Sequence, residues 1–387
     1  MWSLVMATFM IKALEKELIF HDLESSVNPE VLLNASEVIR YWKYPLEEHE
    51  VVTADSYVLT LQRIPCGRAG QRPVMLLQHG LWSSSVSWVS NPPNNSLAFI
   101  LADAGFDVWM GNSRGNTYSM KHTTLSTSSA EYWAFTFDEM ARYDLPASID
   151  HVSKEVSFSL SAFVAFSTSP ELALQVKAFY ALAPVFYIQH LRSPLVQLLS
   201  KIPRPALILG DKDVLPQSDI NTFLATKVCN NEINEVIWSG LIFSLFGFGP
   251  QNLNKVRLLD TMGFLSFGHK DGYFFSNYYV YSFFLFQFQL LKEVPGTVRA
   301  YNWGNTKKNM AHYNQVLFLE RNLPTALWSG QKDLLVDPEY VSLLVPQIPN
   351  LIYHKILPTY NHLDFIWGIN APQDIYYDII KMRKETS

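Results

Sequence analysis

The chain is poor in cysteine and in charged residues, and it has no basic cluster. Only 2 of its 387 residues are cysteines, so a disulfide framework is excluded. Charged residues make up 17% of the chain and hydrophobic residues 48%, a composition that excludes disorder of the whole chain. The net charge is −5 without any run of lysine or arginine, so the sequence predicts no contact with nucleic acid.

No internal repeat of fixed period is visible, which excludes a solenoid or a propeller. Aromatic residues are abundant, at 14% with 25 phenylalanines, and they indicate an apolar ligand surface or contact with a membrane. Residues 1–20 are a candidate signal segment, although a basic start and a small-residue cleavage site are missing. Asn34 and Asn94 begin glycosylation sequons that matter only in the secretory pathway.

Strand and helix patterns alternate along two parts of the chain. Residues 50–64 read as a hairpin, and short apolar runs such as 73–78, 106–110 and 176–183 read as strands. Residues 131–152 have mostly helical spacing, with Pro146 as the main interruption, and a final helix is predicted from about residue 372 to 382. This alternation predicts an α/β fold with a mostly parallel central sheet, built from residues 28–184 and 311–387. The alternation is lost over 185–310, which we interpret as an inserted helical cap or lid.

Two polar residues follow the last predicted strands. Asp333 comes after the strand at 325–329, and His362 comes after the strand at 351–356. In α/β-hydrolases the acid and then the histidine of a catalytic triad stand at the ends of late strands. Asp333 and His362 are therefore candidates for a charge relay, in which the carboxylate orients a histidine that acts as base and then as acid. The alternative interpretation is a helix cap at Asp333 and a turn residue at His362.

Segments spread over most of the chain resemble one known family. They include Tyr41-Trp42-Lys43-Tyr44-Pro45, Leu77-Gln78-His79-Gly80-Leu81, Trp109-Met110-Gly111-Asn112-Ser113-Arg114-Gly115-Asn116-Thr117 and Asn361-His362-Leu363-Asp364-Phe365-Ile366-Trp367-Gly368. On these segments the sequence resembles the eukaryotic acid lipases, the family of gastric and lysosomal acid lipase.

The resemblance implies an α/β-hydrolase core with a cap over a lipid-binding cleft. It implies hydrolysis of triacylglycerol or cholesteryl esters at acidic pH, without cofactor or metal, by a secreted or lysosomal protein. The implied partners are a lipid ester or fatty acid, with peripheral contact to a lipid interface. The resemblance places the charge relay on Asp333 and His362 and one oxyanion-hole amide at Leu81, where a donor is worth roughly 10²–10³ in rate.

The serine elbow of the family is missing from its place. The family carries Gly-His-Ser-Gln-Gly in a region where this chain has only residues 153–162, between Val152 and Phe163, about half the length that the family pattern needs. A gapless count puts Val156 at the nucleophile position. Ser157, Ser159 and Ser161 are weak candidates for a replacement, because none has the flanking glycines that allow the sharp turn. Residues 156–160 alternate apolar and polar, so a substitute strand is one prediction, and a sheet defect at this position is the other.

Two further departures from the family pattern stand out. The run 273–291 has no charged residue, and a membrane span is an alternative that its serine, asparagine and glutamine residues weaken. Cys229 matches a disulfide position of the family, but the partner position reads Trp238, so we expect Cys229 to be unpaired.

Three hypotheses follow. The first is a lipase-family ester hydrolase that is impaired because it has no identifiable nucleophile. The second is a non-catalytic lipid-binding protein that uses the retained cleft. The third is a chain that does not fold stably, as expected of an aberrant splice product or an erroneous gene prediction.

Overall fold

The computed structural model describes residues 30, 33–66, 72–80, 83–129, 131–152, 156–157, 166, 170–184, 193, 252 and 323–385. The candidate signal segment 1–20, Cys229 and the uncharged run 273–291 lie outside the described residues, as does the predicted cap except for Ser193 and Asn252. Cys66 is a free thiol. None of the helices in the described ranges is long and apolar enough to cross a membrane.

The first sheet has six strands in the order β1-β2-β4-β3-β6, with β5 paired to β2 off this path. Their bounds are β1 Glu47–Val52, β2 Tyr57–Ile64, β3 Val74–Gln78, β4 Asp107–Gly111, β5 Lys121–His122 and β6 Val156–Ser157. The predicted hairpin is confirmed, because β1 and β2 pair antiparallel around a turn in which Ser56 has a positive φ of 74°. The predicted strands at 73–78 and 106–110 are confirmed as β3 and β4, which pair in parallel.

Helices connect the strands of this sheet. Their bounds are α1 Ala35–Tyr41, α2 Leu97–Asp103 and α3 Leu145–Val152, and the 3₁₀ turn Ser85–Trp88 precedes α2. The end of α2 is set by Gly105, whose φ of +92° is a conformation that glycine adopts without strain and that reverses the chain into β4.

The helical prediction for 131–152 is correct only from residue 137 onward. A helical turn, Phe137–Glu139, continues through a π-helical segment, Met140–Asp144, into α3. The interruption that Pro146 predicts is present as this wider turn. Proline has no N–H with which to continue the α-helical ladder, and a π-helical turn accommodates the missing bond.

The second sheet has three parallel strands in the order β7-β8-β9. Their bounds are β7 Phe179–Leu182, β8 Thr325–Gly330 and β9 Leu351–Leu357. The accompanying helices are α4 Pro170–Gln175, α5 Pro338–Leu344, α6 Asp364–Trp367 and α7 Tyr377–Glu385; a 3₁₀ turn, Val345–Gln347, follows α5, and a π-helical segment, Pro372–Tyr376, precedes α7. These elements confirm the strands predicted near 176–183, 325–329 and 351–356 and the final helix.

The described strands thus form two hydrogen-bonded sheets, and the division falls between β6 and β7. Strand β6 is only two residues long, with Leu76 opposite Val156 and Leu77 opposite Ser157. The substitute strand predicted for 156–160 is present in these two residues, and residues 158–160 lie outside the described part of the chain. The predicted position of the missing elbow therefore lies at β6, the last strand of the first sheet in the described part of the chain.

One hydrophobic core nevertheless joins the two sheets. Leu76 and Met110 of the first sheet belong to the same buried cluster as Phe179 and Ala326 of the second. Polar contacts add to it, because the indole N–H of Trp367 donates to Ser90 Oγ at 2.8 Å. The late strands are thereby held against the early part of the chain.

A buried guanidinium connects three parts of the first half. Arg114, three residues beyond the end of β4, is fully buried. Its Nη1 and Nη2 donate to Asp55 in the hairpin turn at 2.6 and 2.8 Å. Its Nε donates to Asp144, the last residue of the π-helical segment, at 2.7 Å, and its plane lies 3.9 Å from the ring centroid of Tyr57. Burial lowers the pKa of Arg114, but Asp55 and Asp144 raise it by more, so the net shift of the pKa is upward.

Replacing Arg114 by methionine is expected to lower the free energy of unfolding by about 3–5 kcal/mol, because Asp144 keeps a buried carboxylate without its cation. Urea denaturation measures the loss. The matched control is Lys121→Met, which removes an ion pair to Glu50 whose two side chains are 60% and 61% exposed. That change should stay within about 1 kcal/mol, and equal losses in the two variants would contradict the role given to Arg114.

Candidate active site

The carboxylate of Asp333 is fixed by its own turn. Strand β8 ends at Gly330, and the chain then turns so that Asp333 Oδ1 accepts hydrogen bonds from the N–H groups of Leu335 and Val336, both at 2.8 Å. The side chain has no solvent exposure. One carboxylate oxygen is thus occupied by the backbone, which leaves Oδ2 to face the next loop.

His362 meets that oxygen. Its Nδ1 lies 2.9 Å from Asp333 Oδ2, and its side chain is 23% exposed while that of Asp333 is buried. Because an ionised carboxylate only accepts, Nδ1 carries the proton and the lone pair of the neutral ring stands on Nε2. This is the tautomer that a general base requires. The predicted proximity of Asp333 and His362 is present in the structure.

The loop that carries His362 is locked by a reciprocal pair of side chains. Asn361 Oδ1 accepts from the N–H groups of Leu363 and Asp364, and Asp364 Oδ2 accepts from the N–H of Asn361 at 2.8 Å. Burial raises the pKa of Asp364 to about 7. Sequence reasoning missed this lock, although the Asn-x-x-Asp spacing is a signal for such local capping.

The two loops also touch directly. Lys332 N–H donates to the carbonyl of Tyr360 at 3.0 Å. A Cβ at Gly330 would collide with the same carbonyl, so only glycine lets the end of β8 approach the histidine loop this closely. The position of His362 relative to Asp333 therefore depends on backbone contacts as well as on the ion pair.

A buried histidine shapes the loop after β3. His79 Nδ1 lies 2.7 Å from the Gly80 carbonyl oxygen, and the N–H of Ser113 donates to His79 Nε2 at 3.1 Å. Burial lowers the pKa of His79 to about 4, against a smaller raising effect of the Gly80 carbonyl. A neutral imidazole with its proton on Nδ1 thus joins the ends of β3 and β4. Leu81, the predicted oxyanion amide, lies outside the described residues.

The serine candidates differ in what the structure describes. Ser157 stands in β6 opposite Leu77. Ser159 and Ser161 lie outside the described residues. No serine of the described ranges stands on a strand-to-helix elbow with a positive φ, since Ser56 is in the hairpin turn.

One further segment has the spacing of an elbow, and the sequence reasoning overlooked it. Gly111-Asn112-Ser113-Arg114-Gly115 reads Gly-x-Ser-x-Gly. It follows β4, but Ser113 has no positive φ and no helix begins after it. The hydroxyl oxygen of Ser113 accepts a hydrogen bond from Gln78 Nε2 at 3.0 Å, and the backbone N–H of Ser113 donates to His79 Nε2. These contacts give Ser113 a structural place between β3 and β4 instead of that of a nucleophile.

The alternation of parallel strands and helices, with an acid and a histidine after successive late strands, defines an α/β-hydrolase. A solved membrane phospholipase A, described as a bacterial virulence factor, superposes with a TM-score of 0.54 over 100% of both chains at 13% identity. This likeness concerns the fold. Within the described ranges, no group of three or more histidine, cysteine or carboxylate side chains is arranged to hold a metal ion.

Sequence comparison identifies the family within that class. Residues 35–92 match the partial alpha/beta-hydrolase lipase region family. Human gastric triacylglycerol lipase is 46% identical over 92% of this chain and 92% of its own, and rat lysosomal acid lipase/cholesteryl ester hydrolase is 42% identical over 93% and 94%. The chain belongs to the acid lipase family, as its sequence predicts.

Human lipase member K is 42% identical over 100% of this chain and 99% of its own length. That alignment extends over 407 positions, more than the 387 residues of this chain. The relative therefore contains at least 20 residues, 407 minus 387, that have no counterpart in this chain.

The buried His79 should make stability depend on pH. Its pKa of about 4 in the folded chain is below the value near 6.5 of an unfolded histidine. Between pH 6.5 and 4 the unfolded chain binds a proton at this histidine that the folded chain does not bind. As the pH decreases through this range, the free energy of unfolding therefore falls by roughly 1 kcal/mol per pH unit because of this group. Above pH 6.5 the group contributes no pH dependence.

Urea denaturation of the wild type and of His79→Gln at pH 7, 6 and 5 measures this effect. The advantage of the wild type over the variant should shrink as the pH falls. An advantage that stays constant over this range would contradict the neutral, buried state of His79.

Proposed function

We propose that this chain is an acid lipase family member whose hydrolysis of lipid esters is impaired in this form. The observation that carries the proposal is a paired Asp333 and His362 in a chain without a serine elbow at the family position. The names of the relatives, triacylglycerol lipase and cholesteryl ester hydrolase, support triacylglycerols or cholesteryl esters as the lipid class.

The impairment follows from the chemistry of acyl transfer. His362 Nε2 can take a proton, and Asp333 can stabilise the resulting imidazolium, but the base needs a hydroxyl that it activates. The residue after the nucleophile also supplies the second oxyanion amide, so the loss of the elbow removes two functions together. Loss of a serine nucleophile lowers kcat by about 10⁶ in a well-studied serine protease.

We expect the wild-type protein to turn over a short-chain p-nitrophenyl ester no faster than the His362→Ala variant, within about twofold. Without a nucleophile to activate, the histidine adds little to the residual rate that comes from substrate binding and the oxyanion hole. The matched control is His354→Ala, which removes a histidine of β9 that bonds Ser329 and leaves the Asp333–His362 pair intact. Initial rates at pH 5 and pH 7 are the measurement.

A fluorophosphonate probe followed by peptide mapping gives the complementary readout. A folded sample without labelled serine supports the proposal. Turnover that disappears in His362→Ala, together with labelling at Ser157, Ser159, Ser161 or Ser113, would show that a replacement nucleophile exists and that the proposed impairment is wrong.

A second candidate function is non-catalytic binding of a lipid ester or fatty acid. The missing elbow favours it, as does the aromatic content of 14%, which suits an apolar ligand surface and peripheral contact with a lipid interface. In this function the cleft is retained and the chemistry is lost.

Saturable binding of a fluorescent long-chain fatty acid is the expected result for that function. Unlabelled oleate should displace the probe, and butyrate at the same concentration should not, because burial of each CH₂ contributes about 0.8 kcal/mol. No saturable binding by a sample with a cooperative thermal transition would exclude the second function.

The proposal includes a secreted or lysosomal location, as the names of the gastric and lysosomal relatives suggest. Both sequon asparagines are exposed, Asn34 as the N-cap of α1 and Asn94 in the turn before α2. Their exposure is compatible with glycosylation in the secretory pathway.

A further inference from the structure

Two histidines outside the candidate active site face each other where α3 packs against β1 of the first sheet. His49 Nδ1, on β1, lies 3.4 Å from His151 Nε2 in the last turn of α3. This separation is long for a hydrogen bond, whose usual range is 2.7–3.2 Å. It equals the distance of about 3.4 Å between two nitrogen ligands of a tetrahedral zinc ion with bonds of about 2.0–2.1 Å.

A carboxylate sets the tautomer of one of these rings. Glu47 stands two residues before His49 on the same face of β1, and its Oε2 lies 3.2 Å from His49 Nε2. Because the carboxylate accepts, the proton of neutral His49 is on Nε2 and the lone pair on Nδ1 faces His151. This carboxylate–histidine arrangement is the one that typically orients a metal-ligating imidazole.

The geometry points to a weak divalent transition-metal site, for Zn²⁺ or Cu²⁺, with His49 Nδ1 and His151 Nε2 as its two protein ligands. Imidazole suits these ions, and water completes the coordination. The site lacks a third protein ligand among the described residues, so it is an exchangeable surface site that differs from a closed structural centre.

The surrounding charges are mixed. Glu50 and Asp150 line an open groove of about 550 Å³ beside His151, and Arg142 lines it as well. Arg63 shares Glu47 with His49, at 2.7 Å, and lies over the ring of Trp109. Trp109, one of the ten tryptophans, also contacts both histidine rings, at centroid distances of 4.7 and 5.6 Å, so an ion bound between the rings should quench its share of the tryptophan fluorescence.

The test is isothermal titration of the full chain with ZnCl₂ at pH 7.5 in a non-coordinating buffer, with Cu²⁺ quenching of tryptophan fluorescence as a second signal. We expect one site that His49→Gln and His151→Gln each weaken by more than tenfold, and that Glu47→Gln weakens by about tenfold. The control is His122→Gln, which alters a histidine on β5 that bonds backbone groups and should bind as the wild type does.

A wild type that binds neither ion, or equal binding in the wild type, His49→Gln and His151→Gln, would overturn the proposal. A second measurement needs no variant and so does not depend on variant folding. In the wild type, Zn²⁺ should protect His49 and His151 from diethyl pyrocarbonate while His122 stays equally reactive, as peptide mapping reports. Equal modification of all three with and without Zn²⁺ also overturns it.

Discussion

The ion pairs of buried Arg114 organise the first half of the molecule. The guanidinium has no access to water, so its charge is tolerated only because Asp55, Asp144 and the face of Tyr57 all surround it. Asp55 and Tyr57 belong to the β1–β2 hairpin, Asp144 ends the π-helical segment, and Arg114 itself follows β4. The hairpin turn, the end of β4 and the π-helical segment therefore have one relative position in which every charge is paired. The loop that contains Ser113 is fixed relative to these elements, and so is His79 at the end of β3, which accepts a hydrogen bond from that loop.

Much of this architecture could be predicted from the sequence because its strands are short apolar runs bounded by turn residues. The β1–β2 hairpin, the parallel strands β3 and β4 and the late strands β8 and β9 all follow from such patterns. The wide helical turn before α3 could be predicted only as an interruption at Pro146, since the pattern of apolar residues does not distinguish a π-helical turn from a kink. Strand β6 could be predicted only as one of two outcomes, because the alternation of apolar and polar residues over 156–160 is compatible with a substitute strand and with a defect in the sheet.

The two residues of the candidate site could be predicted from the sequence, whereas the contacts that hold their loops in place could not. Asp333 and His362 stand in the order and at the strand ends that the reaction class requires, so their pairing could be expected. The Asn361–Asp364 lock, the close approach at Gly330 and the buried His79 are tertiary or backbone features that residue spacing alone does not specify. The segment Gly111–Gly115 shows the reverse case. It has the letters of a serine elbow, but the backbone around Ser113 is unstrained and its polar atoms are engaged between β3 and β4.

The Asp333–His362 pair has a further consequence for how such proteins are recognised. Its two residues are joined by the single crossover β8–α5–β9, and only 29 residues separate them in sequence. The entropy of closing a loop grows slowly with its length, so this crossover brings the two side chains together without any contribution from the nucleophile segment. Damage to a distant segment therefore leaves the pair in place, and mutational drift at the nucleophile position need not erode it. An intact acid–histidine pair records descent from a hydrolase, and it carries no information on whether the reaction still takes place.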